Sequence, residues 1–191
     1  MCGKPLAHAT IGIVGLGRIG LAIARRLQPF SIQRVLYCGT QAKQFDAETD
    51  RSLFQYVAFD ELLCQADFVV IACALNEQTR HMFNTRAFNQ MKNDAILVNI
   101  ARGGIVDQDA LYSALQSGRI RAAGLDVTTP EPLPTDHPLL TLDNCTVFPH
   151  IGSADVAARH QMAQICVDNL LNFFNGKPMV HELKDVLVGA L

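Results

Sequence analysis

Arg102, Glu131 and His150 each stand just beyond a short apolar run in a chain of 191 residues. Arg102 follows Leu97-Val98-Asn99-Ile100-Ala101 and precedes Gly103-Gly104, Glu131 lies in the loop after Asp126-Val127, and His150 follows Val147-Phe148-Pro149. Brought together, these three side chains would suit reduction of a carbonyl group. A guanidinium can hold a carboxylate through two parallel hydrogen bonds or donate to a carbonyl oxygen. A histidine can give a proton to a nascent alkoxide, and a nearby carboxylate favours the imidazolium form. Taken singly, each has a plainer reading: a loop arginine satisfying carbonyls, a solvated glutamate, a histidine closing a strand end. Spacing along the chain does not make them meet; the elements around them must.

Those elements can be read from the sequence. Thr10-Ile11-Gly12-Ile13-Val14 has a buried-strand pattern, Gly15-Leu16-Gly17-Arg18-Ile19-Gly20 is a Gly-x-Gly-x-x-Gly turn, and residues 21–27 continue as an amphipathic helix. This order suits a dinucleotide pyrophosphate. Gly15 makes the tight turn, Gly17 lets backbone approach the phosphates, and Gly20 lets helix pack on strand. The helix N-terminus then offers unpaired N–H groups to the anion. Residues 33–37, 68–72, 95–99, 122–127 and 145–148 read as further strands. Helices are expected over 60–65 with Asp60 as cap, over 85–91, and after Asp107 with Leu111, Ala114 and Leu115 on one face and Gly118 as the stop. A long amphipathic helix is expected over 155–174, with Met162, Cys166, Leu170 and Phe173/Phe174 at helical spacing. Residues 41–55 read mostly as loop, and 129–138 as a proline-rich loop too poor in donors for a central strand. Strands alternating with helices predict an α/β fold, a doubly wound parallel sheet of the Rossmann NAD(P)-binding type. Ligands in such sheets bind beyond the carboxyl ends of the strands, where Arg102, Glu131 and His150 fall.

Composition agrees. Apolar residues make up 49% of the chain and charged residues 18%, which fits a buried parallel sheet. A net charge of −2 disfavours nucleic acid or an anionic membrane as partner, and the Arg25-Arg26 pair reads as the solvated side of the first helix. The longest apolar run, residues 68–75, is the length of a strand, and Met1-Cys2-Gly3-Lys4-Pro5 has no apolar signal region, so a cytoplasmic protein is expected. Six cysteines lie far apart with no Cys-x-x-Cys pair, and read as reduced, mostly buried apolar side chains; no metal site is expected.

Four segments in order (Gly15 to Gly20, Asn99-Ile100-Ala101-Arg102-Gly103-Gly104, Gly124-Leu125-Asp126-Val127 and Phe148-Pro149-His150-Ile151-Gly152-Ser153) resemble the D-isomer-specific 2-hydroxyacid dehydrogenases. The stretch from Asp126 through Thr128-Thr129-Pro130-Glu131-Pro132-Leu133-Pro134 to Leu140 is similar to the glyoxylate/hydroxypyruvate reductase branch of that family. The resemblance implies that Arg102 binds and polarises a 2-oxo acid, and that Glu131 and His150 form an acid–base pair with His150 as proton donor. It places Asp126 at the junction of nicotinamide and substrate, with Ile100 and Gly152 lining the nicotinamide end. Arg18, Ile19 and Ala74 complete the candidate cofactor contacts. Glu131 weighs against a formate-dehydrogenase-like site, where the family has glutamine.

NAD-specific folds carry a carboxylate about twenty residues past the glycines. Here Tyr37-Cys38-Gly39-Thr40-Gln41-Ala42-Lys43 has no acid before Asp46. NADPH is therefore preferred over NADH, with Gly39, Thr40, Gln41 and Lys43 around the 2′-phosphate; the NADPH-using relatives tend to carry arginine near these positions. The family also has a substrate-side domain built mostly from sequence preceding the cofactor domain, and this chain starts a few residues before the first strand. The expectation is thus a cofactor domain over 1–175 with a tail over 176–191, weak or absent turnover, and a homodimer formed through the cofactor domain. The other reading is a nucleotide-sensing module that binds partners without catalysis, since the C-terminal-binding corepressors resemble this family.

Overall fold

In the computed structural model, which describes residues 3–45 and 51–179, the apolar runs form one sheet. Its strands are β1 (Thr10–Val14), β2 (Arg34–Cys38), β3 (Phe54–Tyr56), β4 (Phe68–Ile71), β5 (Ile96–Asn99), β6 (Ala122–Leu125) and β7 (Cys145–Val147). All pairings are parallel, in the order β3-β2-β1-β4-β5-β6-β7. The chain leaves β1 for β2 on one side and later passes to β4 on the other. That reversal is the switch point at which such sheets open a ligand crevice.

Alternation along the strands divides the core into two layers. Leu36, Val69, Ile71 and Leu97 pack on one face with Leu62, Phe83, Phe88 and Leu111. Ile11, Ile13, Val35 and Val70 pack on the other with Ala24, Leu21 and Leu27. The helices covering these faces are α1 (Arg18–Leu27), α2 (Phe59–Gln65), α3 (Thr85–Gln90) and α4 (Gln108–Gln116). Asp107 caps α4 by accepting from Ala110 N–H at 3.1 Å, and Gly118 beyond its end has φ +69, as the sequence predicts.

The amino ends of the central strands are tied by charge. Asp67 Oδ1 takes Lys4 Nζ at 2.8 Å and Lys92 Nζ at 3.0 Å, while Oδ2 accepts the Thr10 N–H at 2.8 Å. Burial works against the Asp67 charge. The hydrogen bonds from Lys4, Thr10 and Lys92 outweigh it and bring the carboxyl from 3.8 down to about 2.

Some expectations need correction. Residues 41–55, read mostly as loop, end in a short 3₁₀ turn (Arg51–Leu53) and the first two residues of β3, an edge strand too short and polar to show alternation. Asp60 does not cap α2. Ala58 holds that position without a side-chain bond, and Asp60 and Glu61 sit in the first turn, where the helix dipole favours acids. Among the described cysteines, Cys64 and Cys166 are exposed, so "mostly buried" fits only Cys38, Cys73 and Cys145. Cys2, Asp46 and residues 180–191 of the tail lie outside the described residues.

The chain divides into two compact units, Met1–His150 and Ile151–Leu191. Helix α5 (Val156–Phe174), which the sequence reading includes in a cofactor domain over 1–175, falls in the second unit. Asp155 caps it through the Ala158 N–H at 2.9 Å. Its apolar residues do not form a buried stripe: Met162, Leu170, Leu171, Phe173 and Phe174 are all exposed. No helix of the described residues is long and apolar enough to cross a membrane.

Candidate active site

The turn after β1 is closed by contacts that leave no room for side chains. Gly15 has φ +94, and a Cβ there would stand 2.6 Å from Cys73 N. A Cβ on Gly20 would strike the Gly15 carbonyl oxygen. Gly17 differs: a Cβ would meet nothing within 4 Å, so this stretch of backbone faces open space. Gly17 is also the N-cap of α1 and provides no side-chain bond, which leaves the first-turn N–H groups at Arg18 and Ile19 to a ligand.

A cleft of about 950 Å³ lies over the ends of β1, β2 and β4, lined by Gly15, Gly17, Gly39, Thr40, Gln41, Lys43 and Ala74, among others. Seven sequence candidates therefore share one cavity, large enough for a dinucleotide. Its walls are pinned by residues that the sequence alone does not single out. Thr79 Oγ1 donates to the Ala74 carbonyl at 2.7 Å and accepts the Asn76 N–H at 2.8 Å. Tyr37 Oη accepts the Lys43 N–H, and Tyr56 Oη donates to the Gly39 carbonyl. Cys38 and Cys73 also line the cleft. Burial pushes both thiols up, Cys38 to about 12 with a further contribution from Cys73, which disfavours a thiolate nucleophile.

The second cavity, about 420 Å³, lies past β6 and β7 and is lined by Asp126, Glu131, Leu133, Leu140, Phe148 and His150, among others. Here Glu131 and His150 meet: Oε2 stands 3.1 Å from Nδ1. The other carboxylate oxygen, Oε1, accepts the Thr128 N–H at 3.0 Å. The hydrogen bond from His150 does most to hold the Glu131 carboxyl below its usual range. The Thr128 N–H and the charges of His150 and Arg102 add to it, against a small burial penalty. His150 has φ 56, the left-handed region, and its N–H bonds the Asp126 carbonyl at 2.9 Å.

The loop carrying Glu131 is itself held. Gln108, the first residue of α4, donates Nε2 to the Thr129 carbonyl at 2.6 Å and accepts the Thr129 N–H at 2.8 Å. Gly103 packs so closely that a Cβ would overlap the Thr128 carbonyl.

Arg102 follows β5 but does not line this cavity; its Nη1 donates to the Ala101 carbonyl at 2.6 Å. Its turn is braced by buried Asn99, which accepts the Ala101 N–H and donates to the Arg102 carbonyl, both at 3.0 Å. The Asn99 carbonyl receives the Asp126 N–H at 2.9 Å, linking the ends of β5 and β6. Ile100 is half-buried and packs with the α1-side core. Gly152 lies in the second unit, in the turn before α5. Asn99 and Gln108 escape sequence reasoning as contributors, because an amide gives no chemical signal until its partners are known. Among the described residues no cluster of His, Cys, Asp and Glu could hold a metal.

The residues present fit a dinucleotide: a turn sealed at Gly15 and Gly20, open backbone at Gly17, and a helix N-terminus without a side-chain cap. With ionisable residues past β5, β6 and β7, fold and site together define a Rossmann domain of the kind that binds a nicotinamide cofactor. The chain belongs to the D-isomer specific 2-hydroxyacid dehydrogenases, whose NAD binding domain matches residues 1–152. It is 52% identical over 184 residues to the human glyoxylate reductase/hydroxypyruvate reductase, covering 96% of this chain and 56% of the human protein. Among solved structures it is similar to the TT0316 protein of Thermus thermophilus, with TM-score 0.87, 40% identity, and 95% and 56% of the two chains covered. It is also similar to a glyoxylate reductase from Paecilomyes thermophila, with TM-score 0.86, 32% identity, and 96% and 55% covered. The chain thus spans about half the length of the relatives it matches.

Proposed function

We propose that this chain forms the cofactor-binding and proton-donating part of a reductase of small 2-oxo acids, of the glyoxylate and hydroxypyruvate type, that prefers NADPH to NADH. The observation that carries this reading is the contact of 3.1 Å between Glu131 and His150 at the carboxyl edge of a dinucleotide-binding sheet. Gly15, Gly17, Arg18, Ile19 and Gly20 would hold the pyrophosphate. Gly39, Thr40, Gln41 and Lys43 would hold the phosphorylated ribose, and Ala74, Ile100 and Asp126 the nicotinamide end. When bound, the nicotinamide supplies the hydride.

The protein's own residues do the rest. Glu131 keeps its charge at neutral pH, engages Nδ1, and so presents Nε2–H of His150 to the substrate oxygen. His150 passes the Nε2 proton to the alkoxide, and the carboxylate steadies the ring while it is charged. Arg102 exchanges the Ala101 carbonyl for the carboxylate and carbonyl of the 2-oxo acid, a stronger charge-assisted pairing. The paired carboxylate and imidazole favour catalysis over a binding-only role. Turnover by the 191-residue chain is expected to be weak. The His150 and Glu131 side chains are 50% and 39% exposed, and exclusion of water contributes much of the barrier lowering in such sites. The free thiols of the five described cysteines are in keeping with a cytoplasmic setting, and family resemblance supports a homodimer, which sedimentation equilibrium would detect.

The test is NADPH oxidation by the purified chain with hydroxypyruvate and with glyoxylate. Slow oxidation that disappears in His150→Ala supports the proposal. Turnover indifferent to that substitution, or failure to bind either nucleotide, overturns it.

A further inference from the structure

Four aromatic rings pack beside the loop that follows β2. Tyr37 in β2 is 4% exposed, and its ring lies 5.4 Å from that of Tyr56 at the end of β3 and 6.0 Å from Phe45, which lies 4.8 Å from Phe54. Phenylalanine would serve this packing equally, as Phe45 and Phe54 do. The two tyrosine hydroxyls do something else. Tyr37 Oη accepts the Lys43 N–H at 3.1 Å, and Tyr56 Oη donates to the Gly39 carbonyl at 2.9 Å. Gly39 and Lys43 are the two ends of the segment that lines the dinucleotide cleft beside Thr40 and Gln41.

We propose that Tyr37 and Tyr56 are positioning residues for nucleotide selection: by fixing both ends of the loop from Gly39 to Lys43, they keep Thr40, Gln41 and Lys43 as a preformed receptor for the 2′-phosphate of NADPH. The inference rests on the assignment of that loop to the 2′-phosphate. Its physical basis is preorganisation. A loop ordered only on binding loses affinity to the entropy of ordering, whereas one tied beforehand does not. A phosphate, with its charge and several acceptor oxygens, depends on fixed donors more than a ribose hydroxyl does. The ties should therefore matter for NADPH and hardly for NADH, whose other contacts are the same. The two anchors come from different strands, one from a buried ring in β2 and one from a more exposed ring in β3.

The experiment measures Kd for NADPH and for NADH by nucleotide fluorescence on the whole 191-residue chain. Tyr37→Phe and Tyr56→Phe keep the rings and remove only the oxygens. Each is expected to weaken NADPH about three- to tenfold, the scale of one net hydrogen bond, and NADH by less than about twofold. NADH binding verifies that each variant is folded, and Tyr56→Phe stands in should the buried Tyr37 not tolerate change. In a Lys43→Ala background, Tyr37→Phe should alter the NADPH-to-NADH ratio less than it does in the unchanged chain, because the main-chain tie then serves only Thr40 and Gln41. Equal loss of both nucleotides in both phenylalanine variants would make the hydroxyls merely structural and overturn the proposal. If Lys43→Ala shifts the ratio and neither phenylalanine variant does, the loop assignment stands and the tyrosine inference alone fails. If Lys43→Ala leaves the ratio unchanged, the loop assignment fails and the inference goes with it.

Discussion

The carboxyl edge of the sheet has two halves, and they are built by different means. Past β1, β2 and β4 the cleft is mainly main chain: a glycine turn sealed against Cys73, a helix start without a side-chain cap, and loops pinned by hydroxyls. Past β5, β6 and β7 the groups are side chains, each held by few polar contacts and reached by solvent. A backbone site tolerates changes of side chain but not of shape. A side-chain site tolerates small changes of shape but not removal of the group. A cofactor used by many enzymes suits the first construction, and chemistry particular to one reaction suits the second.

The contrast can be tested by asking each half to fail alone. The largest effect is expected from His150→Ala, which should lower NADPH oxidation by about 10²-fold or more, the usual contribution of a general acid, while leaving the Kd for NADPH unchanged. A matching loss of binding would break the separation. Next comes Gly15→Ala, expected to destabilise the fold by about 2–4 kcal/mol in urea titration, from a strained φ and a Cβ forced onto Cys73. Gly17→Ala should by contrast leave stability unchanged, because nothing in the protein stands near its Cβ, yet abolish NADPH binding. Retained binding would show that the open backbone there is not where phosphate approaches.

Asp67→Asn acts at the far end of the sheet and should spare both halves. The folded carboxyl titrates at about 2 against 3.8 ordinarily, so its stabilisation, on the order of 2 kcal/mol, is present above about pH 4 and disappears as pH falls toward 2. The substitution should remove that acid-dependent decline from the denaturation midpoint while nucleotide binding persists. The smallest effect is expected from Gln108→Ala, about 1 kcal/mol of local stability. Faster amide exchange at Thr129, with NADPH affinity unchanged, would sharpen the comparison by confining the damage to the side-chain half.

Much of the first half can be read in the sequence, because a glycine turn between an apolar strand and a helix announces both backbone shape and ligand. Gly15, Gly17, Gly39, Thr40, Gln41, Lys43 and Ala74 line one cleft. In the second half the positions of Glu131 and His150 are legible but not their distance, which depends on how far the loop after β6 folds back. Nor can Gln108 and Asn99 be recognised in advance, since their amides acquire meaning only from partners far along the chain or in a turn. β3 escapes notice for a related reason: an edge strand of three residues, with Gln55 and Tyr56 exposed, buries too little to leave a pattern. The helix expected over 155–174 is present as α5, but the spacing that predicts it does not say whether its apolar side chains are covered, and in this chain most of them are exposed.

His150 sits at φ 56, a conformation that disfavours most side chains by roughly 1–2 kcal/mol and that glycine or asparagine accept readily. An imidazole at this position therefore costs the fold stability that glycine or asparagine would return. Were His150 the proton donor proposed above, a lineage released from that role would retain Gly and Asn, which also relieve the backbone, ahead of Ala, Leu or Val. Decay of the activity would then be recorded at this one position as a change to a turn-forming residue, in a domain more stable than its active ancestor.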